Sequence, residues 1–445
     1  MFISSFYTKS PIWFQNVILS TRAVTKKLMR EGREQSKLLK EIILHESDYT
    51  SNEFFSKERL NKTLLNAKKN VSFYRDNVKT ELNGIDLSDF PLISKNEVRN
   101  FPHEFENNTL KCVAIKGATS GTTGTPLVIK QNMDSVIREQ AFVARHLMWA
   151  GFKIGDRRAW IRGDMIVPFE QKRGPFWRYS WFENMIMLSS FHMSSSNLDG
   201  YIKAMVDYKV EIIQAYPSSI VTLAKFLEIK DRYYPGQLKS IVTSSESLSY
   251  EDKILVEKRF KCTVFDWYGL FERVAAISSC EHGRYHILTD YSHVELLDVG
   301  QGRHEIVGTN FNNDFFPLIR YCTGDHVYLS EEVSCPCGRV FPIIDRIDGR
   351  VGDYLLGEDG QKIHILNHIP KGVDGLLATQ FIQDIKNEVK ILVVVDPIVF
   401  NILQQEKLIK NVKDRLGETV LVFIEIVESI PRTPNGKVRQ AICSI

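Results

Sequence analysis

Helix-like and strand-like segments alternate from about residue 134 to residue 267, and no other feature of the 445-residue chain constrains its fold as tightly. Short apolar runs near residues 158–161, 211–215, 240–243 and 263–267 read as strands, and the stretches near 134–148, 198–208, 218–227 and 251–260 read as helices. This βα alternation defines an α/β body. Beyond Tyr268 the helices give way to short strands near residues 293–297, 304–308 and 317–321, an appended β-rich part, and chemistry is expected at the junction. Before the alternation, residues 35–98 are charged and helix-friendly, with Leu60, Leu64, Leu65 and Phe73 spaced for one buried face.

A chain of this length exceeds the usual size of one domain. A second boundary falls where Asp348, Gly349, Arg350, Val351 and Gly352 set two glycines among polar residues, a composition suited to a hinge. The expected layout is a large, multi-part N-terminal domain over residues 1–348, opening with a helical segment over 1–105, and a small mobile α+β domain over 349–445. In the latter, strands near 376–382, 389–395 and 420–427 and a helix near 400–415 precede a loop at residues 431–437.

The 57 basic and 54 acidic residues leave a net charge of +3, which excludes the strong field of a nucleic-acid binder. Seven cysteines in so long a chain do not form a secreted disulfide scaffold, and a reducing cytoplasm is the expected compartment. No stretch approaches the ~20 apolar residues of a membrane span. Residues 9–30 read as a basic amphipathic helix; packing on the large domain is the expected use of its apolar face, and a membrane surface is the other.

The strongest local motif is Thr119, Ser120, Gly121, Thr122, Thr123, Gly124, Thr125, Pro126. Glycines let the backbone approach phosphate oxygens, and the hydroxyls add donors, so the run reads as a polyphosphate cradle. It is not a Walker loop, because no Gly-Lys-Ser/Thr follows. Elsewhere Cys280, His286, Cys335 and Cys337 offer three sulfurs and one imidazole, a closed set suited to tetrahedral structural zinc, with His282 as the rival nitrogen.

Taken in order, these segments resemble the core motifs of the adenylate-forming superfamily of acyl-CoA synthetases, luciferases and non-ribosomal-peptide adenylation domains. Tyr268, Gly269, Leu270, Phe271, Glu272 resembles Tyr-Gly-x-Thr-Glu, which implies an adenine-flanking ring at Tyr268 and a magnesium-holding carboxylate at Glu272. Phe271 departs from the usual threonine. Tyr321, Cys322, Thr323, Gly324, Asp325 resembles Tyr-x-Thr-Gly-Asp, whose aspartate takes both ribose hydroxyls, and Asp348, Gly349, Arg350 resembles the hinge motif, whose arginine also reaches the ribose. The loop Pro431, Arg432, Thr433, Pro434, Asn435, Gly436, Lys437 resembles the one whose lysine bridges the α-phosphate and the substrate carboxylate.

Within that superfamily, Gln214 to Ser219, Ser244-Ser245-Glu246 and the approach Pro317 to Tyr321 resemble the phenylacetate-CoA ligase branch and its CapK-like relatives, some of which carry zinc at similar positions. The resemblance implies an AMP-forming acid–thiol ligase: ATP and Mg2+ activate a small carboxylic acid as acyl-AMP, pyrophosphate leaves, and coenzyme A takes the acyl group. Lys437, Glu272 and Thr119 are then the catalytic candidates. Ser120, Gly121, Thr122, Thr123, Gly124, Ser245, Glu246, Tyr268, Gly269, Asp325 and Arg350 would bind the nucleotide. Delivery to a carrier protein or to an amine in polysaccharide modification is the alternative within the class, and a catalytically silent nucleotide-binding scaffold the alternative outside it. Trp160, Phe191, Tyr216 and Trp267 are candidate walls for the acid, with an aromatic acid as the expectation.

Overall fold

The computed structural model describes residues 5–118, 127–350, 354–363, 366, 368–433 and 435–445. They group into two compact units, one of Met1–Val24, Phe152–Val264 and Val351–Ile445, the other of Thr25–Gly151 and Phe265–Arg350.

In the first unit the strands Ser240–Ser244, Ile212–Ala215, Arg158–Ile161 and Met185–Leu188 lie side by side and parallel, and Trp177–Ser180 closes the edge antiparallel to Met185–Leu188. The helices Leu198–Asp207, Pro217–Ile229 and Tyr250–Phe260 alternate with them, as the sequence pattern requires. All four residues of Ile212–Ala215 are buried, which is why that strand shows no regular apolar–polar alternation, with Gln214 its one polar residue. The strands Trp177–Ser180 and Met185–Leu188 are additional to the expected set; only the short 3-10 turn Trp181–Glu183 separates them, so they break the rhythm that reveals the others.

Residues 355–445 carry their own sheet, in the order Leu421–Ile426, Glu388–Val395, Leu376–Ile385, Ala441–Cys443. Leu408, Val412 and Leu416, four residues apart on the helix Ile402–Leu416, are fully buried with Phe381, Ile391 and Val393. Leu377, Leu392 and Val394 face the other way and join the core of Ile213, Ile220 and Leu223. Lys230 and Asp396 pair at 2.6 Å across the same junction.

The second unit opens on the expected helices, among them Arg33–His45, Tyr49–Asn70 and Lys95–Asn100. Asp48 caps Tyr49–Asn70 by accepting from the Ser51 amide at 3.2 Å, and Ser94 with Glu97 forms a capping box on Lys95–Asn100. The antiparallel strands follow in the spatial order Ser292–Asp298, Arg303–Asn310, Tyr321–Leu329, Ile343–Arg350, Tyr285–Ile287, Ala276–Ser279 and Thr263–Gly269. The strand expected at 317–321 begins only at Tyr321. Pro317 lacks an N–H for the ladder and Arg320 has φ 53°, so the chain turns there before it extends. The Arg320 carbonyl accepts instead from the Ile93 amide at 3.0 Å. No described helix is long and apolar enough to cross a membrane.

Candidate functional site

In the first unit, the loop that carries Lys437 is seated by side chains from three other segments. Glu246 follows Ser245, whose φ of 74° is offset by a bond from the Arg162 guanidinium to its hydroxyl at 2.8 Å. That turn aims the Glu246 carboxylate at the N-terminus of the helix Pro217–Ile229, where amides lack intrahelical partners. Oε2 accepts from the Ser218 amide at 2.9 Å, and Oε1 accepts from the Val438 amide at 2.8 Å, so one carboxylate ties the helix to the residue after Lys437. Arg432 lies beside it, donating to Ser218 Oγ at 3.3 Å and to the Gly436 carbonyl at 2.8 Å. Burial lowers the Arg432 pKa from its ordinary value, and the Glu246 charge opposes that shift.

The Tyr216 hydroxyl donates to the Asn435 carbonyl at 3.0 Å. A Cβ on Gly163 would overlap that carbonyl, and one on Gly436, which has φ 74°, would overlap Gly163 in turn. Two glycine backbones therefore meet where the loop lands. Within the loop, the Lys437 amide donates to Thr433 Oγ1 at 3.1 Å and the Thr433 amide to the Lys437 carbonyl at 2.9 Å. Ser245 and Glu246, expected from sequence to serve the nucleotide, thus stand against the lysine loop. Sequence reasoning misses Arg162 and Gly163; their signal is Arg-Gly directly after a buried strand.

In the second unit, the strand end at Tyr268 and Gly269 and the strand Tyr321–Leu329 bring two expected residues together: the Tyr268 hydroxyl donates to Asp325 Oδ2 at 2.7 Å. The ladder sets Arg350 opposite Asp325, so the backbone places both ribose candidates side by side. Glu272 is 1% exposed and accepts from the Tyr321 hydroxyl at 3.3 Å. Phe271, at the motif's threonine position, covers Gly117: a Cβ there would overlap its ring. Gly117 lies in a strand leading into the hydroxyl-rich run, and no sequence motif marks it. Thr119, Ser120, Gly121, Thr122, Thr123 and Gly124 lie outside the described residues.

The ligand atoms of Cys280, His286, Cys335 and Cys337 all lie within 4.8 Å of one another, the one such group among the described residues. Turns build it: the Gly283 amide closes on the Cys280 carbonyl at 2.9 Å, and the Gly338 amide on the Cys335 carbonyl at 3.1 Å. Cys280 Sγ and Cys335 Sγ are 3.6 Å apart, and Cys337 Sγ and His286 Nε2 are 3.5 Å apart. Tetrahedral zinc, with bonds of about 2.3 Å to sulfur and about 2.05 Å to imidazole, sets those edges at roughly 3.8 and 3.5 Å. His286 Nδ1 is 3.1 Å from the Phe341 carbonyl, an acceptor only, so Nδ1 carries the proton and Nε2 faces the sulfurs. Burial lowers the His286 pKa, which keeps the ring neutral, and pushes the Cys335 thiol up to about 12, so a divalent cation is what would hold it as thiolate. His282 is exposed and outside the group.

Of the acid-wall candidates, Trp160 and Tyr216 share the Arg162 guanidinium, 4.9 and 5.0 Å from their ring centres, Phe191 packs edge to face on Phe169 at 5.0 Å, and Trp267 packs on His146 with ring centres 5.2 Å apart.

The fold is that of an acyl-CoA ligase: the structure of a 2-hydroxyisobutyryl-CoA ligase in the postadenylation state with 2-HIB-AMP superposes with a TM-score of 0.64 at 18% identity over 90% of this chain and 91% of its own. Residues 355–444 match the family model of the CapK C-terminal domain. Protein CapK of Staphylococcus aureus is 28% identical over 99% of both chains, and the phenylacetate-coenzyme A ligase of Thermus thermophilus is 25% identical over 86% of this chain and 95% of its own. Along its length the chain is thus similar to CapK and to a phenylacetate-CoA ligase, its C-terminal residues match the CapK C-terminal domain, and its fold is that of the acyl-CoA ligases.

Proposed function

We propose that this protein is an AMP-forming ligase that activates a small carboxylic acid with ATP and passes the acyl group to the thiol of coenzyme A. The observation that carries the reading is the seating of the Lys437 loop by Glu246, Arg432, Tyr216 and Gly163. A loop of glycines and prolines acquires a fixed position only through such contacts, and a preorganised cation is what the first step needs. A carboxylate oxygen attacks the α-phosphorus, the bond from that phosphorus to its bridging oxygen breaks, and pyrophosphate leaves with the electron pair. Two anions meet in this step, and Lys437 offsets their repulsion and the charge that grows on the α-phosphate.

Asp325 holds the ribose hydroxyls, with Arg350 alongside, and Tyr268, its hydroxyl fixed on Asp325, flanks the adenine. Thr119, Ser120, Gly121, Thr122, Thr123 and Gly124 wrap the phosphates. Glu272 is the carboxylate that would hold Mg2+, which would neutralise phosphate charge when bound. In the second step the thiol sulfur attacks the acyl carbonyl and AMP leaves. Residues 349–445 form the mobile domain in this reading, and release of the seated loop, with residues 348–352 as hinge, precedes that step. Cys280, His286, Cys335 and Cys337 hold a structural zinc, since all four positions are filled by protein. The cytoplasm, where ATP and coenzyme A are made, is the compartment that fits.

The test is a pyrophosphate-exchange screen over aromatic and short aliphatic acids, followed by product analysis. AMP and pyrophosphate are expected in equal amounts, with acyl-CoA on addition of the thiol. ADP as the stoichiometric product rules the reading out.

A further inference from the structure

The two strands that flank residues 119–126 in the chain, Ile115–Ala118 and Val128–Gln131, pair antiparallel, with Gly117 opposite Ile129 and Ile115 opposite Gln131. One short turn grips both of them. Phe271 lies over Gly117 on the first strand. Arg273 reaches Gln131 at the end of the second, donating to its Oε1 from Nε at 3.0 Å and from Nη2 at 2.8 Å. Between Phe271 and Arg273 stands Glu272, the carboxylate assigned to Mg2+. The turn is held in its own right: the Arg273 amide donates to the Leu270 carbonyl at 3.0 Å, and the Asn310 side-chain amide donates to the Glu272 carbonyl at 3.2 Å.

Arginine is an expensive residue to place here. Its φ is 59°, in the left-handed region that a Cβ disfavours, and its side chain is buried. A buried guanidinium also needs its charge and its N–H groups compensated. Nη1 therefore pairs with Glu139, on the helix Met133–Trp149 just beyond Gln131, and Glu139 accepts in addition from the Tyr291 hydroxyl at 2.7 Å. An apolar side chain would fill the same space without these demands. What it would lack is the planar fork, which fixes both distance and direction between the Glu272 turn and the strand Val128–Gln131.

We propose that Arg273 is a positioning residue for Mg·ATP. Through Gln131 it holds the strand that leaves the hydroxyl-rich run in register with the Glu272 turn, so that the phosphate donors and the metal carboxylate serve one polyphosphate. This role rests on the ligase reading. AMP, held through base and ribose by Tyr268 and Asp325, has no β- or γ-phosphate and is indifferent to that register.

Arg273→Ala would strand Glu139 in the interior, so the test uses Gln131→Leu, which leaves the Arg273–Glu139 pair, and Arg273→Lys, which keeps the charge and lacks the fork. Titration calorimetry compares ATP with Mg2+ against AMP alone, each variant below its own melting temperature. Both variants are expected to bind Mg·ATP more weakly on the order of tenfold, the worth of a hydrogen bond to a charged group, and to bind AMP as wild type does. Unchanged Mg·ATP affinity in either variant overturns the proposal. Equal loss of ATP and AMP also overturns it, since Arg273 would then serve the fold alone. Pyrophosphate exchange by the wild type keeps the two readings apart: if no acid supports exchange while the variants still lose Mg·ATP selectively, the ligase reading fails and the positioning role stands.

Discussion

The backbone amide of Val438 donates to Oε1 of Glu246 at 2.8 Å, while Oε2 of the same carboxylate accepts from the amide of Ser218. Both oxygens serve donors, so glutamine, which offers one acceptor and one donor, fits the space and fails the chemistry. Glu246→Gln should slow acyl-AMP formation by roughly ten- to hundredfold, the worth of one charged hydrogen bond. Transfer from chemically made acyl-AMP should stay near wild type. Equal losses in both half-reactions would make Glu246 a structural residue only.

Lys437→Ala separates the same half-reactions more sharply. Removing a charge aimed at a transition state costs about 3–4 kcal/mol, so adenylation should fall by roughly 100-fold or more while ATP binding changes little. A paired rate measurement, from acid plus ATP and from preformed adenylate, checks it. If neither rate moves, the loop is not catalytic.

Asp325 is tied to Tyr268 at 2.7 Å. Asp325→Ala should weaken ATP binding by about 1.5–3 kcal/mol for each charged bond lost. Tyr268→Phe keeps the ring and should cost less, and in the double variant the two losses should not add, because they share one hydrogen bond. Titration calorimetry reads all three; an unchanged affinity in Asp325→Ala removes it from the site.

Protein purified without added metal should contain one zinc per chain by elemental analysis. Cys335→Ser and Cys337→Ser should lose it together with several degrees of Tm. Zinc absent, with the double variant melting like wild type, would leave four ordinary side chains.

His146 is buried beside Trp267, and burial, helped by Arg145 and Arg339, lowers its pKa from 6.5 to about 3. Folded, the ring stays neutral; unfolded, it takes a proton below pH 6.5. Stability is therefore complete above that pH and is lost as pH falls toward 3, by up to about 1.4 kcal/mol per unit. Thermal melts from pH 7 to 4.5 should show a shallower decline in His146→Gln than in wild type. Parallel curves would assign the acid sensitivity elsewhere.

Local chemistry makes much of this protein legible in its sequence. The βα rhythm of residues 134–267 reports burial of strands between amphipathic helices, and each helix and strand expected there occurs. Tyr268, Glu272, Asp325 and Lys437 stand out because each sits in a short motif whose glycines and hydroxyls have few other uses. The sulfurs of Cys335 and Cys337 are readable for the same reason, since a tight turn is a local event. Tertiary structure alone decides which residues meet across long separations. Glu246 and Val438 are 192 positions apart, and nothing in Ser-Ser-Glu says that its carboxylate spans a helix end and a distant loop. The choice of His286 over His282 comes from which ring the strand turns inward, and the rotation of the helix Ile12–Arg30 from bonds of Gln15 to Arg178 and of Asn16 to Tyr179, over 160 residues away. Periodicity records which residues are apolar; where the partners of buried polar groups lie is settled only when the chain closes on itself, and that choice puts Gln15 inside and Trp13 out.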